Sequence, residues 1–101
     1  MPSVTFSPAA RQDLKDIGDF IASDSPAAAR PGRSAVRKRC SLLADTPLSG
    51  RQRPELHAQL RSVLVWKYVI FYTADSQRIR IERILHGARD IDSVIEDFES
   101  N

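Results

Sequence analysis

The stretch that decides the fold is KYVIFYTADSQRIRIERIL, residues 67–85. Its first part, Lys67 to Thr73, is strongly β-prone and nearly all apolar, which predicts a central strand covered on both faces. Residues 74–77, Ala-Asp-Ser-Gln, have the composition of a hairpin turn, and residues 78–85 predict the next strand. Residues 59–65 form two mixed faces and predict a strand before it. Because the connections are short, we expect these three strands to pair antiparallel.

A short strand and two helices are predicted before these strands. Val4 and Phe6 alternate around Thr5, and Ser7-Pro8 then resembles a helix start, since serine is a good N-cap and proline suits the first helical position. One apolar stripe follows on a helix of residues 8–22, formed by Ala10, Leu14, Ile17 and Ile21. A second stripe, after the start signal Asp24-Ser25-Pro26, is formed by Val36, Cys40 and Leu43. The two helices are expected to form a helical hairpin.

The second helix contains a conflict at Arg30-Pro31-Gly32-Arg33. A proline inside a helix loses a backbone hydrogen bond and clashes with the preceding turn, at a cost of about 3 kcal/mol. Gly32 adds up to about 1 kcal/mol to the cost of forming this helix. We therefore expect a kink or break near residues 30–33, with one turn at 26–30 and a helix from about 32 to 44.

The remaining segments complete a single α+β domain spanning residues 1–101. Residues 45–50 are a loop by composition, and residues 51–58 are expected to be irregular. After Gly87, Asp90 is expected to cap a short C-terminal helix with apolar positions Ile91, Ile95 and Phe98. The predicted order is therefore β, α, α, β, β, β, α. We expect an N-terminal strand and a helical hairpin packed on one face of a small antiparallel sheet.

Composition excludes several classes of protein. The chain is 42% apolar and 28% charged, which is ordinary for a globular domain. It has no apolar run near the ~20 residues of a membrane span and no signal-peptide pattern, so a cytoplasmic protein is expected. With one cysteine and two histidines, no spacing suits zinc, and neither a metal nor a cofactor is expected. Cys40, on an apolar stripe, is interpreted as a small core residue.

Charge is unevenly distributed along the chain. Residues 90–101 carry five acids and no base, whereas the first 89 residues carry fifteen basic and eight acidic residues. A basic body with an acidic terminal segment suggests a macromolecular partner, either nucleic acid or an acidic protein surface. A solvated surface without a partner is the alternative that charge alone leaves open.

In order and spacing, these segments resemble the RelE/ParE superfamily of bacterial toxin–antitoxin toxins, and its ParE branch most closely. VTFSPAARQDLKDIGDFIA is similar to the family's opening strand and first helix, and LRSVLVWKYVIFYTAD to its central hairpin. DSPAAA followed by CSLLADTPLSGRQRPEL resembles the second helix and the loop after it. IRIERILHGARDI resembles the last strand and turn and is the most specific segment. PGRS at 31–34 departs from the family pattern.

The resemblance implies the toxin of a type II toxin–antitoxin pair, of the kind linked to plasmid stabilisation. ParE toxins poison DNA gyrase and have no assigned catalytic chemistry of their own. A cognate antitoxin, ParD-like or similar, is expected to fold an acidic and apolar segment onto the toxin, in a groove between helical hairpin and sheet. Operator DNA would be contacted only through the antitoxin. The expected binding residues are the exposed edges of Leu14, Ile17 and Ile21, and the strand carrying Arg78 and Arg80.

Two other functions stay open at this point. A ribosome-dependent RNase of the RelE kind needs a group to activate the ribose 2′-OH, a proton donor and cations for the phosphate. Its candidates here are Arg61, Lys67, His86 and Arg89. The acids after residue 89 would repel such a substrate. The third possibility, motivated by Pro31-Gly32, is an antitoxin-binding protein that has lost toxicity.

Four side-chain placements can be predicted in and around the last two strands. His86 and Arg89 either meet a macromolecule or, as we favour, belong to a corner that turns a strand into a helix. Strand parity would place four side chains in one polar stripe on a sheet face: Arg78, Arg80, Glu82 and His86. Arg80 and Glu82 are expected to pair. Core packing is favoured over base stacking for three aromatic residues, Trp66, Tyr68 and Tyr72.

Overall fold

A computed structural model describes residues 2–86 of the chain. Its elements are β1 (Ser3–Phe6), α1 (Pro8–Asp24), α2 (Pro26–Leu42), β2 (Arg51–Gln52), β3 (Arg61–Val65), β4 (Tyr68–Ala74) and β5 (Arg78–His86). The predicted corner after His86 and the predicted C-terminal helix lie outside the described residues. Residues 51–58, expected to be irregular, include the two-residue strand β2.

The five strands form one mixed sheet in the order β1-β5-β4-β3-β2. β3, β4 and β5 pair antiparallel, as predicted. β1 pairs with β5 in parallel, so the N-terminal strand joins the sheet at the far edge of the meander. The architecture is the predicted α+β arrangement, with the helical hairpin on one face of the sheet.

The central strand β4 is covered on both faces, which confirms the prediction from its apolar sequence. Toward the helices, Ile70 and Tyr72 are fully buried in the main core. On the other face, Phe71 packs with Leu60 and Leu85 in a second apolar cluster. The segment between β2 and β3 covers that cluster, and the Arg53 guanidinium lies 5.6 Å from the centre of the Phe71 ring.

Ser7 joins the start of α1 to β5. Its Oγ accepts a hydrogen bond from the Ala10 N–H (3.0 Å) and donates one to the Glu82 carbonyl (2.7 Å). The Ser7 N–H also donates to the carbonyl of Ile81 (2.9 Å). The predicted N-cap is therefore confirmed, and the same hydroxyl fixes the position of the helix on the sheet. The predicted stripes are confirmed as core, with the buried positions Ala10, Leu14, Ile17, Val36, Cys40 and Leu43.

The predicted break in the second helix is wrong, because α2 runs without interruption from Pro26 to Leu42 with Pro31 inside it. Packing against α1 offsets the local cost. A Cβ on Gly32 would lie 2.6 Å from Cδ1 of Ile21, so glycine allows the two helices to approach closely. A Cβ on Gly18 would lie 2.5 Å from Cδ of Arg33. The two glycines thus make room for a partner side chain across the helical hairpin, and tertiary contact dominates helix stability here.

A β-bulge in β5 changes which side chains share a face. Phe71 pairs with Arg83 and Tyr72 with Ile81, so Glu82 is an extra residue between them. Before the bulge, Arg80 lies on the face away from the helices, where its Nε is 3.2 Å from Glu82 Oε1. After it, His86 contacts the ring of Phe20 on α1. The Arg80–Glu82 pair is confirmed, but His86 does not belong to their stripe.

The hairpin between β3 and β4 turns at Trp66 and Lys67. Trp66 has φ 53°, in the left-handed region that a non-glycine residue rarely adopts. Its side chain is 72% exposed, so the prediction that Trp66 packs in the core is wrong. The same prediction is confirmed for Tyr68 and Tyr72, both of which are buried.

The loop after α2 is fastened to the core by Tyr72. The phenol Oη donates to the Pro47 carbonyl (2.9 Å) and accepts from the Gly50 N–H (2.8 Å). A Cβ at Gly50 would collide with this hydroxyl and with the ring behind it. A glycine is therefore required at position 50 for the loop to reach the buried tyrosine.

Candidate interaction surfaces

The aromatic groove is an open cavity between α1 and the ends of β4 and β5, with a volume of about 330 Å³. Its lining residues are Asp13, Asp16, Ile17, Phe20, Tyr68, Arg83, Ile84, Leu85 and His86. This is the predicted location, between helical hairpin and sheet. It lies where α1 crosses the sheet beyond the end of β1, so that β5 from Glu82 to His86 is paired only with β4.

A row of rings crosses one end of the aromatic groove. The His86 ring lies 6.4 Å from that of Phe20 and 5.5 Å, edge-on, from that of Tyr68. The Trp66 ring follows at 6.0 Å from Tyr68, with Lys67 Nζ 4.7 Å from its centre. Since Phe20 is 59% and Trp66 72% exposed, this row leaves apolar surface accessible to solvent. Burial raises the pKa of the Tyr68 phenol in the middle of the row.

A buried ion pair lies at the base of the aromatic groove. Arg83 donates from Nε to Asp13 Oδ2 (2.7 Å) and from Nη2 to Oδ1 (2.9 Å). The Ile84 N–H, which β1 does not reach, also donates to Asp13 Oδ2 (2.9 Å). The carboxylate therefore holds α1 to the end of β5 that β1 does not cover. Asp13 was not among the predicted site residues, although it lies three residues after Ala10 and four before Ile17, on the apolar stripe.

The expected binding residues are divided between two faces of the sheet. Leu14 is 5% and Ile17 6% exposed, so both act mainly as core residues, and Ile17 offers only an edge to the aromatic groove. Ile21 is half-buried. Arg78 is exposed and Arg80 is half-buried, on the face away from the helices. The structure thus does not bring these five side chains into one site.

The candidates for an RNase site are also apart. Arg61 donates from Nη1 to the carbonyls of Leu48 (3.2 Å) and Gly50 (2.9 Å), which gives it a role in holding that loop. In the sheet, Arg61 lies opposite Tyr72 and His86 lies opposite Tyr68. These two tyrosines are four residues apart along β4. Four residues of strand correspond to about 13 Å. Lys67 lies at the His86 end, over Trp66, and Arg89 is outside the described residues.

Cys40 is an unreactive residue of the main core. It is fully buried, and burial raises the pKa of its thiol to about 12, so the thiolate needed for nucleophilic chemistry is not formed near neutral pH.

Within residues 2–86, no group of three or more His, Cys, Asp or Glu side chains is placed to hold a metal ion. Neither of the described helices is long and apolar enough to cross a membrane.

Comparison with known proteins identifies the family. Among solved structures, a chain described as "Chromosomal ParDE TA system from P. aeruginosa" has the same fold, with a TM-score of 0.76 and 21% identity over 86% of this chain and 97% of that one. No curated protein matches the sequence. The family model described as "ParE toxin of type II toxin-antitoxin system, parDE" matches residues 4–91. The protein therefore belongs to the ParE toxin family of type II toxin–antitoxin systems.

Proposed function

We propose that this ParE-family toxin inhibits DNA gyrase and that a cognate antitoxin neutralises it by covering its exposed surfaces. The match of the ParE toxin family to residues 4–91 is the observation that carries the proposal. The fold agrees with it, since the surfaces described above are suited to docking onto other macromolecules. The toxin is proposed to act in the cytoplasm, where it would encounter both gyrase and the antitoxin.

A supercoiling assay tests the proposed target. The full chain is titrated into purified gyrase with relaxed plasmid and ATP, and the products are separated with and without protein denaturation. We expect supercoiling to fall with toxin concentration and cleaved plasmid to accumulate. Topoisomerase I in the same buffer serves as the control enzyme. Normal supercoiling without trapped cleavage complexes, at toxin in large excess over gyrase, would refute the proposal.

For the antitoxin, we propose contacts on both faces of the sheet. An apolar part of the antitoxin would occupy the aromatic groove against Phe20 and the exposed edge of Ile17, and would continue along α1 to the half-buried Ile21. An acidic part would meet Arg78 and Arg80 on the opposite face. A segment that folds on binding can wrap around a small domain in this way. Leu14, which is almost fully buried, would support the groove from within the core.

Binding measurements with exposed-residue variants test this arrangement. Phe20→Ser and Arg78→Glu/Arg80→Glu each alter one of the two proposed contacts, and Leu48→Ser removes an exposed side chain elsewhere (68% exposed) as the matched control. An anchor residue of an interface contributes about 2 kcal/mol or more, which is about a 30-fold change in Kd. We expect such a loss for Phe20→Ser and for the double arginine variant, measured by calorimetry with the antitoxin, and none for the control. Unchanged affinity in either would remove that face from the interface.

Toxicity itself is tested by growth. The proposed loss of toxicity was motivated by a broken second helix, and α2 is continuous through Pro31. We therefore expect inducible expression without antitoxin to arrest a bacterial host, and coexpression of the antitoxin to restore growth. Normal growth at confirmed expression would contradict this expectation.

A further inference from the structure

The helical hairpin carries its charges on separate sides. On α1, Asp13 and Asp16 line the aromatic groove. Arg11 and Lys15, four residues apart, line a second cavity on the other side of the helix, between α1 and α2. We call this cavity, of about 330 Å³, the basic cleft. It is defined by its lining residues Arg11, Leu14, Lys15, Arg30, Arg33, Ser34 and Arg37.

The charge of the basic cleft is not balanced within the described part of the chain. The ion pairs found among residues 2–86 join Arg53 to Glu55, Arg80 to Glu82, and Arg83 to Asp13, and all three lie elsewhere. The cleft therefore gathers five cationic side chains without a carboxylate in its lining. Such a cluster repels itself and attracts anions.

Local packing helps to shape the basic cleft. The stem of Arg33 lies against Gly18, where a Cβ would be 2.5 Å from Arg33 Cδ and 2.7 Å from its Nε. Any larger residue at position 18 would displace this arginine. A glycine inside α1 is unfavourable for the helix by about 1 kcal/mol relative to alanine. The role of Gly18 is to leave space for the Arg33 side chain.

We propose that the basic cleft binds the phosphate backbone of duplex DNA without reading its sequence. Four of its five cations are arginines, whose planar guanidinium groups suit bidentate contact with phosphate. Arg30 and Arg37 lie seven residues apart on α2, which corresponds to about 10 Å. That length spans about three phosphates along one strand of a duplex, at 3.4 Å of axial rise each.

The lining argues against two other anionic partners. An acidic peptide that folds on binding needs apolar contacts, and Leu14, the cleft's apolar lining residue, is only 5% exposed. A single-stranded nucleic acid is held by stacking on aromatic rings, and the cleft lining contains none. The family resemblance implies operator DNA contact only through an antitoxin, so direct binding of DNA by the toxin is a new activity.

Fluorescence anisotropy with the full-length toxin tests the proposal. The probes are a labelled 20-base-pair duplex of mixed sequence, a second duplex of shuffled sequence, and the corresponding single strand, in 50 to 200 mM KCl. Three to five phosphate contacts predict a slope of log K against log salt of about −3 to −4.5. We expect equal affinity for both duplexes and weaker binding to the single strand. Absence of duplex binding, or preference for the single strand, would overturn the proposal.

A charge-matched pair of variants locates the binding site. Arg30→Glu/Arg37→Glu reverses two charges of the basic cleft. Lys38→Glu/Arg51→Glu makes the same change in net charge at exposed positions outside its lining. Loss of two phosphate contacts should reduce the salt slope by about 2 and the affinity at 100 mM KCl by at least about tenfold. The control variant should retain most of the affinity.

Three results would contradict this assignment. Equal losses in both variants would mean that net charge alone drives binding, and unchanged binding in the cleft variant would place the DNA elsewhere. A cleft variant that keeps DNA affinity but loses antitoxin affinity would identify an acidic peptide as the occupant. Circular dichroism melts confirm that both variants are folded. Because no gyrase is present, the DNA-binding proposal and the gyrase proposal can fail independently.

Discussion

Replacing Asp13 by alanine tests how much the junction between α1 and β5 contributes to stability. The Asp13 side chain accepts three hydrogen bonds, two from the Arg83 guanidinium at 2.7 and 2.9 Å and one from the Ile84 N–H at 2.9 Å. Asp13 is only 8% exposed, so in the folded protein its carboxylate is engaged mainly with these partners. Asp13→Ala would therefore leave a half-buried guanidinium without this anion and a buried backbone N–H without its acceptor.

The expected loss in free energy of unfolding is about 3–5 kcal/mol, the usual cost of removing one partner of a buried ion pair. A domain of this size is stable by about 5–15 kcal/mol, so the variant would lose a large fraction of its stability. With about 4–8 °C of Tm for each kcal/mol, the melting temperature should fall by at least about 12 °C.

Urea unfolding followed by circular dichroism at 222 nm measures this loss. Asp16→Ala is the matched control, because Asp16 lines the same groove but is exposed and accepts a hydrogen bond from Gln12 Nε2 (2.8 Å). Its effect should stay within about 0.5 kcal/mol. If Asp13→Ala lost less than about 1 kcal/mol, or no more than the control, the assigned role of the buried pair would be refuted.

Further predictions concern the buried tyrosine, the thiol and the helical proline. Tyr72→Phe removes the hydroxyl that joins Pro47 and Gly50 and should lower the free energy of unfolding by about 1–3 kcal/mol, in urea titrations. An unchanged midpoint would mean that water replaces these bonds. The Cys40 thiol has its pKa raised by burial from 9.0 to about 12, so above pH 9 the unfolded chain loses this proton first. Stability should therefore fall by up to about 1.4 kcal/mol per pH unit as the pH rises above 9. Cys40→Ala should give a shallower fall between pH 9 and 10, and an identical slope would contradict the burial argument. Pro31→Ala restores an N–H inside α2 and should raise the free energy of unfolding by about 1–3 kcal/mol, whereas a lower melting temperature would show that the proline is needed.

The sequence by itself determined the local elements of this protein. Ser7-Pro8 predicted the start of α1, and the spacing of Leu14 and Ile17 predicted its buried face. The apolar run around Ile70 likewise predicted the central strand. These features depend on residues close together in the chain, whose capping, periodicity and β propensity act before any distant contact forms. The family resemblance followed from the order of the same segments.

Tertiary structure alone decided the features that need distant partners. Pro31 remains within a helix because Gly32 packs on Ile21 of another helix, and the bulge at Glu82 moves His86 to the helix side of the sheet. Asp13 acquires its role only when α1 lies across the end of β5. The basic cleft likewise requires both helices side by side. In each case the deciding energy comes from contacts between segments far apart in sequence, which can exceed a local preference of a few kcal/mol.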